Sequence, residues 1–411
     1  MDSKLVIRVV LVSLCLGCGD ETTSPAPPAE WPLALPVLGQ GVALERYTAE
    51  VAAAGNWAYT TTWGYRVGDT VGAPAHAGNA LKVWNVAGRT PILRDSIIIA
   101  DAFTLGDVEI SDDGRLLVVA TEGSVGSIVI FDLSDPARPI QLARFFSPQM
   151  PAESHTATLA RVDGRLYAFL AAVPHLVIVD LTDPAHPTEV YGDSLGTSWV
   201  HDTFVRDGVL FACQWDGGLT LWDIGGGGRG GSPANPVHLG GVVTKGGAVH
   251  NVLWFHDPAA AAGSKRYAFV GEEGIESLGV YSSGDIHVVD VSNRANPREV
   301  AFFHVAGAGP HNFTVDEQSG FLYAAYYNAG VRVLDIRGDL GNCSDTERAP
   351  PPDGRCDLSL MGREAARGLD TGTAQDPMFV WGVERVGTAL YASDMMSGLF
   401  KLDVTALHRQ P

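Results

Sequence analysis

The sequence predicts an all-β fold, a seven-bladed β-propeller closed by an N-terminal strand that completes the last blade. Seven times along the chain a short apolar run ends in an acid or amide, and the fullest copy reads Leu176-Val177-Ile178-Val179-Asp180. The terminal residues Asn85, Asp132, Asp180, Asp223, Asp290, Asp335 and Asp403 lie 47, 48, 43, 67, 45 and 68 residues apart, a spacing typical of blades of several short strands. With 46% hydrophobic residues and 48 glycines, the chain has few stretches of helical apolar period, so strands and tight turns should dominate. The best helical candidate is short, around residues 360–369. The two long intervals contain insertions, one within 257–283 and one at about 337–377.

Residues 1–17 carry Lys4 and Arg8 and then the apolar run from Val9 to Leu16, which reads as a signal peptide. That run is too short to span a bilayer as a helix. It ends Leu14-Cys15-Leu16-Gly17-Cys18, similar to a bacterial lipobox, so Cys18 is the expected lipidation site. Residues 18–30 are polar and Pro-rich, suited to a tether and without core-forming side chains. Gly19 rather than Asp follows the cysteine, so the lipid is expected at an outer membrane or cell surface rather than the inner membrane.

Residues 31–411 are read as the propeller. Blade four shows how one blade is written: an inner strand at 201–205, an Asp207-Gly208 hairpin, a second strand at 209–213, and a turn at Asp216-Gly217-Gly218. A third strand at 219–223 follows, then a Pro-rich connector and an outer strand at 237–243, where proline suits an edge. Asp113-Gly114, Asp163-Gly164 and Gly320 repeat the hairpin, and Asp135-Pro136, Asp183-Pro184 and Asn293 repeat the connector. After Asp403 too few residues remain for an outer strand. The segment 31–45 is therefore expected to supply it, removing open sheet edges.

The strand Leu176-Val177-Ile178-Val179-Asp180, its six degenerate copies and the Asp-Pro-x-x-Pro connectors resemble the LVIVD-repeat family of bacterial propeller (lipo)proteins over roughly residues 45–404. The resemblance implies the fold. It carries over no catalytic residue.

The formal net charge of −19 repels phosphate backbones and argues against nucleic acid as a partner. Of the five cysteines, Cys213 alternates into a strand as a small hydrophobe, while Cys343 and Cys356 flank a Pro/Asp-rich loop and are expected to pair in an oxidising envelope.

Aligning the blades on the first hairpin puts one residue per blade at the channel mouth: Ala49, Asp107, His155, His201, His250, His311 and Trp381. Four successive histidines suggest a site for one divalent transition metal, with Asp107, Asp202, Asn251 and Asn312 orienting the rings. The other reading is structural, with each His-Asp or His-Asn pair hydrogen-bonding between neighbouring blades; a slip of one residue would turn a side chain away from the axis. Glu272, Glu273 and Glu276 read as a solvated acidic loop, and Gly225 to Gly231 as a connector without the Lys of a phosphate loop. The tripeptide Arg337-Gly338-Asp339 is read as chance, and neither a Gly-x-Ser-x-Gly elbow nor a His-Glu-x-x-His helix occurs.

The function expected from the sequence is a non-enzymatic, lipid-anchored scaffold of the bacterial cell envelope, joined to the membrane through its N-terminal lipid. It would present its loop face to a protein or glycan partner. The alternative is a metal-dependent envelope enzyme built on the axial histidines.

Overall fold

The computed structural model describes residues 31–64, 77–123, 126–196, 198–260, 264–370 and 377–409. The expected signal peptide, Cys18 and the tether lie outside them. Seven sheets of at least four strands are arranged as blades around one axis. Blade three is Thr156–Val162, Arg165–Ala172, His175–Asp180 and Thr188–Asp193, and blade four is Asp202–Arg206, Val209–Cys213, Leu219–Asp223 and Val237–Val242, each antiparallel from axis to rim. Among the described residues the helices are two short 3-10 turns, Asp345–Glu347 and Thr405–Arg409, and none is long and apolar enough to cross a membrane.

The repeated apolar run is the third strand of each blade. Leu176, Val177, Ile178 and Val179 are all fully buried because neighbouring blades cover both faces of the sheet, so the strand reads as a continuous apolar run rather than an alternation. The closing acid or amide has a local task. Its side-chain oxygen accepts the backbone N–H two residues on in all seven blades: Asn85 from Ala87, Asp132 from Ser134, Asp180 from Thr182, Asp223 from Gly225, Asp290 from Ser292, Asp335 from Arg337 and Asp403 from Thr405. This turns the chain out of the strand, and an amide oxygen accepts as an acid does, which is why Asn85 suffices. Asp135, Asp183 and Asn293 repeat the same bond in the connectors.

Ring closure follows the expectation. Val37–Val42 pairs antiparallel with Gly398–Asp403 as the outer strand of blade seven. Leu33–Ala34 adds an unforeseen contact, running parallel to Glu364–Gly368 in blade six, so the N-terminal segment spans two blades. Glu364–Gly368 also corrects two expectations. The helix sought around 360–369 is a strand, and the supposed insertion contains the outer strand of blade six, paired with Val331–Asp335. The Glu-Ala-Ala-Arg composition favours helix locally, but burying Ala365 and Ala366 between blades six and seven overrides so weak a preference.

Cys343 and Cys356 are joined, with Cα atoms 5.9 Å apart and 13 positions apart in sequence. Cys356–Asp357 runs parallel to the outer strand of blade five, Arg298–His304, and Arg355 forms ion pairs with Asp353 and Glu299. Cys213 is buried and has no disulfide partner among the described residues, and burial pushes its thiol well above the usual range. A Cys343→Ala/Cys356→Ala variant should lose at most about 3 kcal/mol, as expected for a short closed loop. Its effect should be faster tryptic cleavage at Arg348 and Arg355 with the ring intact; melting of the whole propeller in that variant would contradict a local role.

Candidate functional site at the propeller axis

Side chains reach the axis from the start of each inner strand, and in four blades the backbone bulges there. The register shifts between Thr48 and Val51 in blade one, Leu105 and Asp107 in blade two, Val249 and Asn251 in blade five, and Val380 and Gly382 in blade seven. A bulge adds an unpaired residue and re-aims its side chain. The residues at this level are Ala49, Gly106, His155, His201, His250, His311 and Trp381. Asp107 was expected among them and falls one residue later, because the bulge in blade two takes up Gly106. A Cβ at Gly106 would lie 2.2 Å from the carbonyl oxygen of His155, so only glycine fits there.

The four histidines do converge. Ring centroids are 4.5 Å apart for His155 and His201, 4.4 Å for His201 and His250, and 4.2 Å for His250 and His311. Trp381 continues the series 4.1 Å from His311, and Trp63 closes it at 5.1 Å from Trp381 and 5.9 Å from His155. Six aromatic rings thus circle the axis.

A second set of axial residues comes from the ends of the second strands, which the alignment on inner strands did not address. Counting from the partner of each blade's terminal acid or amide, the equivalent positions are Trp63, Glu122, Val173, Trp215, Glu273, Tyr327 and Met395. Glu273, read from sequence as part of a solvated loop, is instead largely enclosed at the axis, while the Glu276 side chain lies outside the described residues. Trp215 and Tyr327 take left-handed backbone conformations, φ 49° and 40°, uncommon for bulky residues and held here by the surrounding ring. Trp199, partly exposed, stacks on Trp215 at 5.1 Å and meets His201 at 5.3 Å.

The hydrogen bonds of the imidazoles set their chemistry. His201 Nδ1 donates to the carbonyl of His250 (3.1 Å) and His311 Nδ1 to that of Trp381 (2.8 Å), each tying one blade to the next. A carbonyl only accepts, so the proton sits on Nδ1 and the lone pair on Nε2. His155 Nδ1 meets Glu122 at 2.6 Å; burial opposes a charged ring there, but Glu122, with Glu153 and Glu273, pushes its pKa up to about 9. Burial holds His201 and His250 well below the usual imidazole range and brings His311 down to about 4, against the pull of Glu273. The four are not equivalent as ligands. Among the described residues, the donor atoms of His201, His250 and Glu273 lie within 4.8 Å of one another, and His155 and His311 stand outside this group.

The expected orienting residues sit elsewhere. Successive residues of a strand face opposite ways, so the residue after each axial position points toward a second level of the channel. Asp107 accepts from the N–H groups of Ala157 and Val108, Asp202 from Thr203 and Asn251 from Gly271, while Asn312 donates to Glu50 at 2.6 Å. Together with Glu50, Glu109 and Glu384 they line an axial chamber of about 190 Å³. Desolvation there pushes Glu50 and Glu109 well above the carboxylate range, raises Asp107, and brings Asp202 and Glu384 up to about 8. The carboxylates that do approach the rings are Glu122, Glu273 and Glu50, the last 3.2 Å from His311 Nδ1.

The LVIVD repeat is matched at residues 164–192 and 280–304, within blades three and five, so the chain carries LVIVD repeats in a seven-bladed propeller. No curated protein matches. Among solved structures, the beta-propeller domain of Myceliophteria thermophila Cps50 (Swd1) is similar at a TM-score of 0.55 and 12% identity, over 88% of this chain and 98% of that one. The C-terminal WD40 domain of Sif2 is similar at a TM-score of 0.49 and 11% identity, over 87% and 81%. At these identities the likeness concerns the fold.

Proposed function

We propose that this LVIVD-repeat propeller is a non-enzymatic interaction scaffold of the bacterial cell envelope, held to an outer membrane or cell surface by a lipid on Cys18. The observation that carries the binding role is the partly exposed Trp199–Trp215 stack beside His201, with Trp63 across the axis. Indole faces offer large, rigid contact area at low entropic cost and take an aromatic side chain or the face of a sugar ring. A Trp199→Ala/Trp215→Ala variant should melt within a few degrees of wild type and lose at least about tenfold in affinity for a protein or glycan isolated on the wild-type domain. Equal affinity in the variant would remove the assignment of this rim.

The anchor rests on the Leu16-Gly17-Cys18 junction and the polar segment behind it. Intact mass of the membrane-extracted protein should show acylation at Cys18, and Cys18→Ala should appear in the soluble fraction. Equal membrane retention of that variant would refute the anchor. A second reading, a metal-dependent envelope enzyme, is favoured by the approach of His201, His250 and Glu273. It requires turnover that disappears on chelation and returns with metal.

A further inference from the structure

We infer that His201, His250 and Glu273 form a site for one divalent transition metal of the zinc class, with the ion bridging blades four and five at the axis. The metal site expected from the sequence used four histidines. The geometry replaces two of them with a glutamate, and the site stands apart from the scaffold reading because it needs no partner.

Three observations carry it. First, His250 is buried (2% exposed), its Nδ1 has no hydrogen-bond partner among the described residues, and its Nε2 meets Glu273 Oε2 only at 3.5 Å. That is long for a charge-assisted hydrogen bond. It is close to the edge of a tetrahedron with bonds of about 2.0–2.1 Å, roughly 3.4 Å. A buried imidazole without good partners is costly; an ion on Nε2 would replace the long Glu273 contact with a bond, while Nδ1 would keep its proton and gain nothing from the ion. Second, the Nδ1–H of His201 is spent on a backbone carbonyl, which fixes the tautomer and leaves Nε2 as an electron-pair donor, a common arrangement behind ligating histidines. Third, Glu273 is itself oriented, because the hydroxyl of Tyr327 donates to its Oε1.

The donor set decides the metal class. Two imidazoles and one carboxylate suit zinc and its first-row neighbours, whereas calcium and magnesium take shells of oxygen. Three protein ligands leave one tetrahedral position open, and His311 Nε2 lies 4.0 Å from Glu273 Oε1. His155 is engaged by Glu122 and takes no part.

The test is titration of the chelator-stripped mature domain with zinc or cobalt(II), without any partner or substrate. Wild type should bind one equivalent, and cobalt should give the visible bands of a tetrahedral site that excess calcium leaves unchanged. Glu273→Gln and His250→Gln should weaken binding beyond the roughly 10–100-fold that loss of an orienting neighbour costs, Tyr327→Phe should fall within that range, and His155→Ala should bind as wild type. Absence of stoichiometric zinc or cobalt binding by folded wild type would overturn the inference without any variant. So would wild-type affinity in folded Glu273→Gln, or a loss in His155→Ala equal to that in His250→Gln. None of these outcomes bears on whether Trp199 and Trp215 hold a partner.

Discussion

Deleting residues 31–44 should lower the melting temperature by roughly 10 °C or more and drive self-association, the largest effect expected of any terminal truncation. The deletion removes the outer strand of blade seven and the short parallel contact with blade six together. It also removes Leu35, buried in the apolar cluster between those blades with Leu402, Ala365 and Ala366, a side chain whose burial alone contributes about 1.5–3 kcal/mol. The exposed edge of Gly398–Asp403 would then offer unpaired backbone to another chain. Deleting residues 20–29 should leave melting unchanged. The segment is also wedged against blade one: a Cβ at Gly41 would come within 2.5 Å of the Trp84 indole and 2.9 Å of the Pro91 carbonyl oxygen. Gly41→Val should therefore destabilise in the same direction by a smaller amount. If the 31–44 deletion melts with wild type and remains monomeric, these contacts are not what closes the ring.

The second large effect should appear as pH dependence of stability. Asp202 and Glu384 face Glu50, Asp107 and Glu109 across the axial chamber, with His155 and Arg385 as nearby positive groups, and both carboxyls titrate near 8 when folded. In the unfolded chain they titrate near 4, so between these values the folded state holds protons that the unfolded state has released. Stability contributed by the protonated groups is complete below about pH 4 and is lost as pH rises toward 8, at about 1.4 kcal/mol per pH unit for each group. Glu384→Gln keeps the shape and cannot ionise. It should raise the melting temperature by several degrees at pH 8 and leave it nearly unchanged at pH 4, with Asp202→Asn acting likewise. A variant whose gain is the same at both values would show that charge in the chamber does not limit stability.

Much of the architecture was legible before any coordinates. The seven apolar runs, the Asp-Gly hairpins and the Pro-rich connectors are local signals, and each corresponds to a strand or turn because short-range hydrogen bonds and burial agree there. Even the closing strand could be inferred, since a blade that ends at Asp403 lacks a partner. What failed was local preference read without its neighbours, as at Glu364–Gly368, where the edge of Val331–Asp335 required a fourth strand.

The axis was only partly legible. His155, His201, His250 and His311 were found because equivalent positions of a repeat converge, and they do. Asp107 was misplaced by one residue because a bulge leaves no trace in apolar periodicity, and one residue reverses the side-chain direction. Glu273 was missed because it follows a second strand within a longer interval, where its repeat position shows only once the strand pairs are known.

By itself the sequence determined the number of blades, their order and the way the ring shuts, because those follow from local patterns repeated along the chain. Only the tertiary structure decided which side chains meet at the axis, which imidazole nitrogens remain free, and that five carboxyl groups share one chamber beneath them. Those outcomes depend on bulges and on approaches of a few ångströms between residues dozens to hundreds of positions apart, which no local pattern encodes.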